Sequence, residues 1–371
     1  MKSVTFTTYN PICFVGKKSN GKMCLPNEVT KKVIKCVPSV IDLCCGMGGL
    51  SLAAQSLGMH VIAGVDLNSD ALKTYAKNIS GTKSIKGSIG AKKILDNCKE
   101  LFDAVDVGSP KIIISGPPCQ GFSVAGSCDP ADPRNRVLIN VANAILRLQP
   151  DCALIENVSM LLSEKHENRL GKFQGILNEG GYFVTKILLD ASEFGVSQRR
   201  KRAFFFVTRL RLNEEEILLQ LEKYKLPPVL AGEALRGLEK PLVRPDDYDD
   251  EKDYGPIANH FAMQHSVRVM KKIALIKPGT GPMSYRRLHP GRPSNTLFSG
   301  HRAPPAHFKE PRSITVREAA RLQGFPDSFR IYGTFGNQMQ QVTNAVPPPL
   351  AQVVLRVLSN IMGLRIGEHV R

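Results

Sequence analysis

A chain of 371 residues suggests about two domains and can bury a sizeable core. Its 50 Lys plus Arg outweigh 33 Asp plus Glu, a formal net charge of +17 that points to a polyanionic partner and says nothing about fold. Nine cysteines without a Cys-x-x-Cys pair argue against a zinc site or a disulfide framework. With no long apolar run, the expectation is a soluble, cytoplasmic protein with reduced thiols.

Residues 1–37 are weakly patterned and read as an N-terminal extension. From Pro38 to Asp66 the pattern is strand, glycine turn, helix, strand. Pro38 to Leu43 is apolar, Cys44-Cys45-Gly46-Met47-Gly48-Gly49 turns, Leu50 to Leu57 has helical spacing, and His60 to Val65 leads to Asp66. Glycines let backbone approach a ligand, and an acid at the next strand tip accepts both hydroxyls of a ribose. Asp42, just before the turn, argues against a pyrophosphate at the helix start and suits a cationic ligand. Residues 69–79 predict a helix with Ala71, Leu72, Tyr75, Ala76 and Ile79 on one stripe.

Lys111 to Gly126, KIIISGPPCQGFSVAG, is the most informative stretch. A short apolar strand breaks at Gly116, Pro117 and Pro118, and Cys119 follows at once. Open α/β sheets bind ligands at the carboxyl ends of their strands, so this cysteine is expected in a site rather than in a core. The loop 121–135 is long enough to be a lid. Residues 136–149 form an apolar helix stopped by Pro150, and Cys152 to Ile155 is a strand ending in Glu156-Asn157-Val158. A helix over 166–180, a strand over 182–189, the segment ASEFGVSQRRKR and a strand from Ala203 to Thr208 follow.

Beyond about residue 210 the character changes. Residues 213–253 are charged and read as irregular. Residues 277–311 are rich in Pro, Gly, Arg and His, a composition suited to DNA contacts by loops, with Arg286, Arg287, Arg292 and Arg302 as candidates for phosphates or guanine edges. Residues 312–329 carry a short helix with Thr315 as N-cap and Glu318 at the capping-box position. Gln341 to Pro348 opens a last helix over Leu350 to Met362.

Taken together, Gly-Pro-Pro-Cys-Gln-Gly-Phe-Ser, Glu-Asn-Val, Gln-x-Arg-x-Arg, Arg-Leu-Gln-Gly-Phe-Pro and Asn-Ala-Val-Pro-Pro, in this order, resemble the DNA cytosine-5 methyltransferases of bacterial restriction–modification systems. The resemblance runs from about residue 38 to the C-terminus. It implies a Rossmann-like α/β methyltransferase sheet over 38–209, a smaller irregular target-recognition domain over 210–311, and a C-terminal segment 312–371 whose last helix returns to the first domain. It implies S-adenosyl-L-methionine as cofactor, double-stranded DNA as partner, a monomer, and a restriction endonuclease sharing the site without direct contact.

The family's roles, carried onto matching positions, make Cys119 the nucleophile that adds to carbon 6 of a flipped-out cytosine. Glu156 holds the pyrimidine N3 edge, with Arg200 and Arg202 beside it. Asp42, Cys44, Gly46, Gly48, Gly49, Asp66 and Leu67 fall to the cofactor, with Ser88, Ile89, Pro117, Asn344 and Ala345. Gln120, Ser123, Asn157, Gln198, Arg286, Arg287 and Arg302 fall to the substrate. Three positions depart from the family's usual residues: Cys44 replaces an aromatic, Ser88 an acid and Thr343 a glycine.

A tRNA cytosine-5 methyltransferase of the same fold and a catalytically silent DNA-binding relative are the alternatives. The silent relative is expected to have lost Cys119 or Glu156. An amino-methylating DNA enzyme is excluded by cysteine after Pro-Pro. A nicotinamide-dependent oxidoreductase is a more distant alternative.

Overall fold

The structure is a computed structural model that describes residues 37–118, 136–282, 285–298 and 304–367. Cys119, Gln120, Ser123 and Arg302 lie outside the described residues, as does residue 1–36 of the expected extension.

Seven strands form one sheet in the order β3-β2-β1-β4-β5-β8-β6. They are β1 (Ser39–Leu43), β2 (His60–Asp66), β3 (Lys83–Lys86), β4 (Lys111–Ser115), β5 (Cys152–Val158), β6 (Phe183–Asp190) and β8 (Lys201–Thr208), with the two-residue β7 (Gln198–Arg199) just before β8. Every neighbouring pair is parallel except those of β8, which runs antiparallel to both β5 and β6. The expected Rossmann-like α/β class with a mixed sheet therefore holds, and the order reverses between β1 and β4. A crevice opens at such a reversal, and ligands settle there.

Side-chain alternation sorts each strand between two cores. Ile112, Ile114, Phe204 and Phe206 enter one, against α1 (Gly49–Ser56) and the C-terminal α11 (Pro348–Ile361). Ile113, Phe205 and Val207 enter the other, against α3 (Lys92–Asp103), α4 (Val137–Leu148) and α5 (Glu167–Glu179). α2 (Ser69–Asn78) is capped by Asn68, whose side chain accepts from Asp70 and Ala71, and packs with a third core. That core is built around α7 (Ala231–Ala234), α9 (Val316–Leu322) and α10 (Phe335–Asn344). α9 carries the expected capping box of Thr315 and Glu318.

The stretch 213–253, expected to be irregular, opens with α6 (Glu214–Glu222). Asn213 caps it, and Ile217 and Leu221 are buried with Leu350 and Val354 of α11. Three acids in its first turn favour the helix dipole, a local signal masked in the sequence by charge. β9 (Leu242–Val243) lies in the same stretch, and β10 (Phe261–Ala262), α8 (Val267–Leu275) and β11 (Ser294–Asn295) follow it. β11 pairs with β7 in a separate two-stranded sheet, just before the chain enters β8 of the main sheet. Gln341 to Asn344 end α10 rather than beginning the last helix, and Ala345 to Pro347 make the break before α11. No helix among the described residues is long and apolar enough to cross a membrane.

Candidate active site

A cavity of about 410 Å³ lies at the carboxyl ends of β1, β2, β4 and β5, where the strand order reverses. Its floor at β1 is the turn Cys44 to Gly49. Cys44, Gly46 and Gly48 all take left-handed backbone there, with φ of 62°, 53° and 100°. Gly46 N–H donates to Asp66 Oδ2 at 2.8 Å, and Asn68 N–H donates to Asp66 Oδ1 at 2.8 Å. Each carboxylate oxygen keeps further acceptor capacity for ligand hydroxyls. A Cβ on Gly49 would stand 2.2 Å from the Val346 carbonyl oxygen. That carbonyl, not a pyrophosphate, occupies the space beside the first turn of α1.

Most residues expected to hold the cofactor meet here. Cys44, Gly46, Gly49 and Asp66 line the cavity, as do Leu67, Ser88, Ile89 and Pro117. Asn344 and Ala345 close it from the C-terminal segment. Two expectations are corrected. Gly48 does not line the cavity; a Cβ there would meet Ile79 at 2.9 Å and Tyr75 at 3.0 Å, so this glycine serves packing. Asp42 does not line it either. Its side chain is fully buried beneath the turn, where Oδ2 accepts from Ser51 Oγ at 2.6 Å. Burial holds its carboxyl up at about 8, helped by the charge of Asp66. Any effect of Asp42 on a cationic ligand is through the turn, not by contact.

The Cys44 thiol is pushed up by burial, then by Asp66 and Asp42, so it stays protonated and is no competing nucleophile.

Glu156 and Arg202 face the cavity from adjacent antiparallel strands. Glu156 pairs with Phe204, so Arg202, two residues away, is its diagonal neighbour on the same face. Arg202 Nε lies 2.8 Å from Glu156 Oε1. Burial raises the Glu156 carboxyl above its ordinary value, and Arg202 and Arg200 pull it back down. Such a group exchanges a proton more readily near neutrality than a solvated glutamate.

Asn157 Nδ2 donates to Pro117 O at 3.3 Å, which fastens the β5 tip to the loop whose next described residue, Pro118, immediately precedes Cys119 in sequence. Pro118 itself lines the cavity. Arg200 lines it too, but its Nη2 donates to the carbonyls of Thr343 and Ala345 at 2.8 and 3.1 Å, holding the C-terminal segment in place.

Two substrate expectations are also corrected. Arg287 is buried, and its guanidinium donates to the carbonyls of Ile276, His307 and Lys309; it folds its loop rather than reaching DNA. Gln198 is fully buried, bonded to Gln323 and to the Leu297 backbone across β7. Arg286 is exposed. Sequence reasoning missed Val137, Asn140 and Gln341 in the cavity wall. Of these, Asn140 carried a signal: a polar side chain in the first turn of a helix, α4, that is mostly apolar.

Residues 39–360 match the family described as C-5 cytosine-specific DNA methylase. The type II methyltransferase M1.HphI of Haemophilus parahaemolyticus is 30% identical over 349 residues, covering 89% of each chain. M.AplI of Arthrospira platensis, also a type II methyltransferase, is 32% identical over 331 residues, covering 85% of this chain and 84% of its own. A crystal structure of a prophage-encoded E. coli protein, assigned as a DNA modification methyltransferase, superposes with a TM-score of 0.72 at 28% identity. It covers 88% of this chain and 99% of that one.

Proposed function

The chain belongs to the C-5 cytosine-specific DNA methylases, and on that basis we propose that it methylates carbon 5 of one cytosine within a specific duplex DNA sequence, by base flipping and covalent catalysis from Cys119. It is a DNA cytosine-5 methyltransferase, and S-adenosyl-L-methionine is its cofactor. The cavity fits that group: the doubly anchored Asp66 suits a ribose, the left-handed turn lets backbone approach closely, and no space for a pyrophosphate is left at α1. When bound, the cofactor supplies an electrophilic methyl group.

Carbon 5 of cytosine is a weak nucleophile. Addition of the Cys119 thiolate to carbon 6 makes carbon 5 enamine-like and able to take the methyl group. Loss of the carbon 5 proton and expulsion of the thiolate restore the ring. Glu156, carrying or sharing a proton, binds N3 and the exocyclic amine and favours charge build-up during the addition. Arg202 sets the position and proton affinity of Glu156, while Arg200 and Asn157 hold the surrounding loops. The base leaves the stack at a cost of a few kcal/mol.

The observation that carries this reading is Glu156, buried and ion-paired to Arg202, in the same cavity wall as Pro118, next in sequence to Cys119. Likeness to type II methyltransferases favours a restriction–modification role in a bacterial cytoplasm, with the protein acting as a monomer. We place target reading in the segment before α9, with exposed Arg286 and Arg292 among its contacts and Arg302, Gln120 and Ser123 completing the substrate set. Incubation with S-adenosylmethionine and duplex DNA containing 5-fluorocytosine should give a covalent adduct that Cys119→Ser does not form. Trapping on tRNA but not on DNA would overturn the DNA assignment.

A further inference from the structure

Ser88, Gly90 and Asn140 meet at the end of the cavity nearest β3. The tip loop of β3, Gly87 to Ile89, lines the cavity beside Asp66 and Leu67. Gly87 N–H donates to Asp66 O at 3.0 Å, so loop and carboxylate share one frame. Because Asp66 pairs with Lys86 across β2 and β3, a nucleoside whose ribose sits on Asp66 has this loop beside it.

The Ser88 side chain is turned back on its own loop, where Oγ accepts from Gly90 N–H at 3.2 Å. It shapes the turn and supplies no carboxylate. Asn140, in the first turn of α4, lines the same cavity. Among the described residues nothing pairs with its amide, so both its donor and its acceptor are open to a ligand. It also closes tightly on the loop. A Cβ on Gly90 would stand 2.8 Å from Asn140 Nδ2 and 3.2 Å from its Cγ, so the missing side chain there makes room for the amide.

A planar amide with one donor and one acceptor matches the edge of adenine, whose amino group donates beside a ring nitrogen that accepts. We propose that Asn140 reads the adenine base of the cofactor in this chain, and that Gly90 is the residue that positions its amide. The proposal rests on the cofactor assignment above. Asn140 Oδ1 accepts from the 6-amino group and Nδ2 donates to a ring nitrogen.

The test needs no turnover. Isothermal titration of the full chain with S-adenosylhomocysteine is compared with its analogue bearing hydrogen in place of the 6-amino group. The unaltered protein prefers the amino compound by about tenfold, the worth of one hydrogen bond. Asn140→Ala brings that ratio close to one and also weakens binding of the deaminated analogue several-fold, because the ring nitrogen that both ligands share loses its Nδ2 donor. Gly90→Ala, at a position with ordinary backbone, displaces the amide and does the same; it decides the matter if thermal unfolding shows Asn140→Ala to be misfolded. A folded Asn140→Ala or Gly90→Ala protein that keeps the full preference overturns the proposal. So does an unaltered protein with no preference. Failure of the unaltered protein to bind S-adenosylhomocysteine at all strikes the cofactor assignment itself, and the proposal falls with it.

Discussion

Arg202 and Glu156 form an ion pair of 2.8 Å in which the two side chains are only 12% and 8% exposed. A pair this far from water behaves as a unit: removing one partner strands the other charge, at a cost of about 3–5 kcal/mol, unless it changes protonation. Arg202→Ala should therefore lower stability in urea titration and push the Glu156 carboxyl further up. Glu156→Gln, which leaves a neutral group of the same shape, should cost less stability. It should still cut turnover by about 10²-fold or more, as expected for loss of a positioned proton donor. Near-normal turnover in Glu156→Gln would remove Glu156 from the chemistry.

Asp42 predicts a pH dependence of stability. Its carboxyl is held up from 3.8 to about 8 by burial. The folded state thus keeps a proton that the unfolded chain releases. The contribution is fully present below about pH 4 and is lost as pH rises towards about 8, at up to about 1.4 kcal/mol per pH unit. Asp42→Asn should be less sensitive to pH across that window in thermal unfolding. Parallel curves for the two proteins would show that Asp42 titrates normally.

Asp250 fixes the acidic stretch around it to Lys73 of α2 and to the C-terminal residues Arg330 and Gly333. Its carboxylate takes Lys73 Nζ at 2.8 Å and Gly333 N–H at 2.5 Å, while Arg330 Nη2 donates to the Asp250 carbonyl at 3.0 Å. Asp250→Ala should destabilise by about 2 kcal/mol, since charged hydrogen bonds to a partly buried group are lost. Lys73 is more exposed, and its replacement by Ala should cost under about 1 kcal/mol. Denaturant midpoints for the two variants give the comparison.

Specificity is expected to travel with the segment between α6 and α9. Ile217 and Leu221 of α6 pack against α11, so an exchange that begins after Tyr224 should keep the catalytic core intact. Bisulfite sequencing of DNA from a methylation-deficient host would show a changed target site. An unchanged site after the exchange would count against placing target reading there.

Much of the fold was legible because strand and helix periods are local. The apolar runs of β1, β4 and β5, the glycine turn and the capping box at Thr315 sit where residue spacing placed them. α6 and α10 were not legible, because each buries only two apolar side chains, Ile217 and Leu221 in one and Met339 and Val342 in the other, against partners distant in sequence. The arginines show the same limit. Nothing local distinguishes Arg286 from Arg287, yet one is exposed and the other is buried among backbone carbonyls.

The sequence by itself placed the motifs: a cysteine after Pro-Pro, an acid at the next strand tip and a glycine turn answered by Asp66 are short-range patterns. Only the tertiary structure decided which of those side chains face the cavity. It turned Asp42 inward beneath the turn, gave Arg200 to the carbonyls of Thr343 and Ala345, and brought Asn140 over Gly90. The physical reason is that orientation and burial depend on which elements pack together. Those contacts join residues far apart in the chain, beyond the reach of any local spacing.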